Sequence, residues 1–95
     1  MNNIPNAFAE TLRETLEEIE LDQKQVAQAT GIPEPHLSQM KSGKRRITPE
    51  YDLRLSQFFQ TSPGFWLRLQ LSYDLRVVQA KKGDEIKKEV PCFAA

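Results

Sequence analysis

One cysteine, one histidine and four glycines in 95 residues leave little room for several kinds of chemistry. Cys92 has no partner for an intrachain disulfide, which fits a reducing compartment. With His36 as the single histidine, a zinc site built from this chain alone is out of reach. No nucleophile–base pair and no cluster of metal ligands stands out, so neither an enzyme nor a cofactor is expected. No apolar run approaches the roughly 20 residues that span a bilayer. The opening MNNIPNAFAE lacks the basic start and apolar centre of a signal peptide. The expectation is a cytoplasmic protein without membrane contact. Internal repeats and low-complexity tracts are missing as well.

Net charge is also missing: thirteen bases balance thirteen acids. The balance hides a gradient. Up to Asp22, six acids stand against Arg13, a net −5. From Gln23 to Arg46, five bases stand against Glu34, a net +4. A field this dipolar fits a polyanionic partner on one face, while solvated charge is the commoner reason for any single run. At 39% hydrophobic and 27% charged, the composition is that of an ordinary folded domain.

What the chain does have is helical periodicity. Phe8, Leu12, Leu16 and Ile19 recur at helical steps, so a first helix is predicted from about Ala7 to Glu20, capped by Asn6. A second is predicted from Gln23 to Thr30, capped by Asp22 and ended by Gly31 in a left-handed turn. A third runs from about Glu34 to Lys41. Pro33 and Pro35 do not forbid it, because a first-turn residue has no intrahelical use for its N–H. Thr48-Pro49-Glu50 opens a fourth helix that turns Tyr51, Leu55, Phe58 and Phe59 inward. A fifth is predicted to begin at Ser62-Pro63 and end near Gly83. The stretch from Leu67 to Tyr73 alternates as a strand would, but no partner strand exists, and helix is the reading. On it the apolar residues form two stripes. Trp66, Leu69, Tyr73 and Val77 pack the chain's own core. Leu67, Leu71, Leu75 and Val78 are left for a dimer partner. The alternative is a helix buried on both sides within one chain. Residues 1–80 are predicted to form one domain, and 81–95 a mostly loose charged tail.

The second helix, a turn with glycine and the short third helix have the form of a helix-turn-helix. Leu37 and Met40 mark the inward side of the third helix. Pro35, Ser38, Gln39 and Ser42 lie opposite, with His36 on the flank. Pro35, His36, Ser38 and Gln39 are candidates to read base edges, since glutamine can pair with adenine and a proline ring can meet a thymine methyl. Gln23, Lys24, Ser42, Lys44, Arg45 and Arg46 surround that face and are candidates to hold phosphates. Taken alone, this face also reads as ordinary solvated helix surface.

From Gln23 to Arg76 the sequence resembles the HigA-type antitoxins, also known as virulence-associated protein I, of the XRE-like helix-turn-helix class. The distinctive part is GKRRITPEYDLRLSQFFQTSPGFWLRLQLSYDLR, Gly43 to Arg76. The resemblance implies an all-α, lambda-repressor-like domain of five helices that dimerises through its last helix. It implies binding to a palindromic operator in double-stranded DNA and neutralisation of a small HigB-type ribonuclease toxin. Carried over, Gln23 matches the phosphate-binding residue opening the second helix. Pro35, His36, Ser38 and Gln39 match variable reading positions, Lys44 and Arg45 the basic pair behind them, and Trp66-Leu67 the start of the last helix. Three departures matter. Gly64 stands where an acid is expected, which should weaken the first turn of the last helix, Lys41 stands where an apolar residue is common, and the N-terminal segment lacks the family's usual opening. The acidic face of Glu10, Glu14, Glu17 and Glu18 is either solvated or a dock for a basic toxin. Two alternatives remain open: a stand-alone transcription regulator without a toxin, and an interaction module that no longer binds DNA.

Overall fold

A computed structural model describes residues 3–94 as five helices, with no strand among them. Three of the helices start on the side chains that the sequence offered as caps. Helix α1 (Ala7–Glu18) follows Asn6, whose Oδ1 accepts the N–H of Ala9 at 3.1 Å. Helix α2 (Gln23–Thr30) follows Asp22 in a full capping box, with Gln25 returning the bond to the Asp22 N–H at 2.9 Å. Helix α4 (Pro49–Phe59) follows Thr48, whose hydroxyl accepts the N–H of Tyr51 at 3.2 Å. Helix α3 (Glu34–Lys41) starts after Pro33, with Glu34 favouring the positive helix end.

Helix α5 departs from expectation at both ends. It runs from Phe65 to Glu89, starting after the Ser62-Pro63 pair and passing straight through Gly83. The stretch 81–89, expected to be loose, is therefore helical. A single interior glycine costs only about 1 kcal/mol relative to alanine, so Gly83 does not stop the helix. Lys87 and Lys88 in the last turn favour the negative helix end.

The core is one cluster. Phe8 and Leu12 of α1 meet Val26, Ile32, Leu37, Met40, Ile47, Leu55 and Trp66, all buried. Trp66 is its hub, touching Phe8, Phe59 and Phe65 at ring-centroid distances of 6.3, 5.9 and 5.0 Å. Such edge and tilted contacts suit the ring quadrupoles. Phe65 and Trp66 are thus structural, as an aromatic pair at a helix start usually is.

Along α5 the two apolar stripes separate almost as the spacing predicts. Trp66 is buried, and Leu69, Tyr73 and Val77 are half-buried on the inward side. Leu71, Leu75 and Val78 are exposed at 59%, 56% and 48%. Leu67 leaves its predicted stripe: it is half-buried and packs on the core. In its first turn Trp66 meets Phe8 of α1 and Phe59 of α4, so that turn has less surface to spare for a partner.

Candidate nucleic-acid interface

The end of α3 is built by a six-residue closure. Gly43 adopts φ +81°, a left-handed conformation that glycine enters at little cost. It turns the chain so that the Lys44 N–H donates to the Gln39 carbonyl at 2.8 Å and the Gly43 N–H to the Met40 carbonyl at 3.2 Å. This is the Schellman pattern, which satisfies the last carbonyls of a helix. The Ser42 hydroxyl adds a bond to the same Gln39 carbonyl at 3.1 Å. The basic segment is thereby folded back beside the helix it follows.

Leu37 and Met40 face the core and are fully buried. Pro35, Ser38 and Gln39 are exposed on the opposite side. A shallow cleft lies between the start of α2 and this face, lined by Gln23, Glu34, Pro35 and Ser38. The Gln23 amide reaches toward the Glu34 carbonyl at 3.5 Å, the long limit of a hydrogen bond. The start of α2 and the face of α3 therefore form one surface.

The remaining candidates fall into different settings. Lys24 and Lys44 are exposed beside this surface. His36 is half-buried and turned toward α4, its Nδ1 2.7 Å from the Tyr51 hydroxyl. That contact leaves only Nε2 for a ligand. Ser42 spends its hydroxyl proton on the helix end. Arg45 directs Nε to the side-chain oxygen of Gln39 at 2.8 Å. Arg46 lies 2.6 Å from Asp74 of α5, and Asp74 also accepts from Gln70 at 3.1 Å. Arg46, Asp74 and Gln70 thus form one polar cluster.

Two residues of α4 outside the sequence-based candidates bind the backbone of neighbouring helices. Arg54 of α4 donates to the Thr30 carbonyl at the end of α2 at 3.0 Å, and pairs with Glu50 one turn earlier. It satisfies a carbonyl that the helix end leaves without an intrahelical donor. Asp52 of α4 is buried and binds the backbone where α5 starts. A signal for Asp52 did exist: Gly64 has no side chain to cap α5, so a carboxylate had to come from elsewhere.

A short helix showing a neutral polar face, carried on a preceding helix across a tight turn and bordered by basic groups, defines a helix-turn-helix protein. The chain belongs to the helix-turn-helix family of the XRE type: the family description Helix-turn-helix (HTH_3) matches residues 12–66. Virulence-associated protein A of Dichelobacter nodosus is 34% identical over 73 residues, covering 76% of this chain and 72% of that protein. Among solved structures, an addiction module antidote protein of the HigA family from Coxiella burnetii superposes with a TM-score of 0.87 and 37% identity. That match covers 94% of this chain and 98% of the other. The Pseudomonas aeruginosa antitoxin HigA, solved with the higBA promoter, superposes with a TM-score of 0.85 and 30% identity. It covers 95% of this chain and 99% of the other.

Proposed function

We propose that this protein is a dimeric DNA-binding antitoxin: it represses its own operon from a palindromic operator and neutralises a small HigB-type ribonuclease. The observation that carries the reading is the joint surface of α2 and α3. Glu34 apart, its outer side is uncharged and polar, and basic groups lie at both of its ends, so that phosphates fix the position while α3 meets base edges. The likeness to an antitoxin solved with promoter DNA over nearly the whole chain supports it. Pro35, Ser38 and Gln39 meet bases. Gln23, Lys24 and Lys44 meet phosphates, Gln23 beside the free N–H groups that open α2. Ser42, His36 and Arg46 take part through the contacts that shape the surface.

The dimer forms on the outward stripe of α5. Leu71, Leu75 and Val78 leave an apolar strip on a helix whose second half stands out from the described residues: 78–90 are exposed, Gly83 excepted. A helix without tertiary contacts is marginal in water. A second copy would bury the strip and set the two α3 helices about one DNA turn, ~34 Å, apart. The acidic face of α1 offers the complementary surface for a basic toxin.

The test is a mobility-shift assay on the DNA upstream of the gene, with and without the co-expressed product of the neighbouring gene. A shift together with co-purification of a small basic ribonuclease supports the whole reading. A shift without such a partner leaves a stand-alone regulator, and no shift leaves an interaction module.

A further inference from the structure

We infer that Arg45 is a positioning residue for base recognition: its guanidinium locks the carboxamide of Gln39 in one orientation, so that Gln39 selects adenine in the major groove. The inference rests on the DNA-binding reading above and adds to it the base and the residue that sets it.

Arg45 Nε donates to Gln39 Oε1 at 2.8 Å. A guanidinium carries donors only. The carboxamide atom that faces it must therefore be the oxygen, because the turned-over amide would set N–H against N–H. An unsupported glutamine can turn its amide by half a revolution about a broad, two-fold torsion. It then offers donor and acceptor in either order. The arginine removes that freedom.

The loop makes the contact repeatable. The left-handed turn at Gly43 and the Lys44 N–H on the Gln39 carbonyl bring the chain back alongside Gln39. Arg45 is half-buried and Gln39 exposed, the disposition of a support and the group it supports. Gln39 keeps one oxygen lone pair and both Nε2 hydrogens for a ligand. An acceptor beside a donor complements the N6 donor and N7 acceptor of adenine. Guanine offers N7 and O6, two acceptors, and one of them would face the locked oxygen. An arginine that only gripped phosphate would leave this choice untouched.

The test starts with selection of bound sequences from a random duplex library by the full-length protein. Fluorescence anisotropy then measures binding to the selected duplex and to its single-base variants at the position where Gln39→Ala loses its preference. The wild type should favour adenine there by about five- to hundredfold, the discrimination of a good bidentate pair. Arg45→Lys keeps the charge but puts a methylene where Nε stands. It should lose most of the adenine preference at that one position while binding of unselected duplex changes by less than about threefold. In Gln39→Ala, adding Arg45→Lys should change the preference no further. Circular dichroism of each variant checks that the helices are intact. The inference is overturned if Arg45→Lys keeps the adenine preference and weakens all duplexes alike, or if the preferred base is not adenine. If the wild type enriches no sequence at all, the DNA-binding reading fails and takes this inference with it.

Discussion

The carboxylate of Asp52 accepts the backbone N–H of Gly64 at 2.6 Å, joining the first turn of α4 to the residue before α5. Its other oxygen accepts the N–H groups of Trp66 and Leu67, both at 3.0 Å. One buried side chain thus does for α5 what a capping residue in α5's own sequence would do, and it places Trp66 in the core. The weakness expected of a helix opened by Gly64 is removed from outside the helix.

Asp52→Ala should therefore destabilise the fold by about 2–4 kcal/mol, the loss of a cap plus buried N–H groups left without acceptors. Asp52→Asn should lose less, since one acceptor oxygen remains. Urea unfolding of both variants measures the difference, and a loss for Asp52→Ala under about 0.5 kcal/mol would contradict the role.

Leu75→Arg should convert the proposed dimer to a monomer without lowering the monomer's own stability, because Leu75 is 56% exposed. Sedimentation equilibrium reads the association. Survival of the dimer would place its interface elsewhere on the chain.

Glu34 lines the same cleft as Gln23, Pro35 and Ser38 and brings a negative charge to the surface proposed to meet DNA. Glu34→Gln should tighten binding to every duplex by roughly two- to fivefold at low salt, with no change in base preference. For the proposed dimer, about eight phosphate contacts predict a log–log salt slope on the order of −7. A slope near zero in an anisotropy titration would reject electrostatic binding.

Gly43→Ala tests the turn behind α3. A Cβ there would sit 3.4 Å from the Asn6 amide nitrogen and 4.0 Å from the Ala9 Cβ, both tolerable separations. The cost is then chiefly that of a left-handed residue with a side chain, about 1–2 kcal/mol. Thermal unfolding should show a drop of that size, while Ala9→Gly, which removes the side chain opposite, should not rescue it.

The helices were largely legible because their causes are local. Asn6, Asp22 and Thr48 cap where they stand, and Leu37 and Met40 face inward because their three-residue spacing puts them on one side of α3. The end of α5 is not legible from local signals, because Gly83 looks like a stop when only its neighbours are considered. The candidate interface was legible as a set of residue types and much less as a set of roles. The numbering alone does not show that His36 meets Tyr51, that Arg46 meets Asp74, or that Arg45 meets Gln39.

By itself, then, the sequence determined the helical periods, the capped starts and the placing of basic charge around a neutral polar helix, since each depends on residues a few positions apart. The tertiary structure alone decided which polar groups are already engaged. Asp52 reaches a helix start 12 positions away and Arg54 a carbonyl 24 positions back. A hydrogen bond requires two groups within about 3 Å, and over such separations only the packing of α2, α4 and α5 brings them that close.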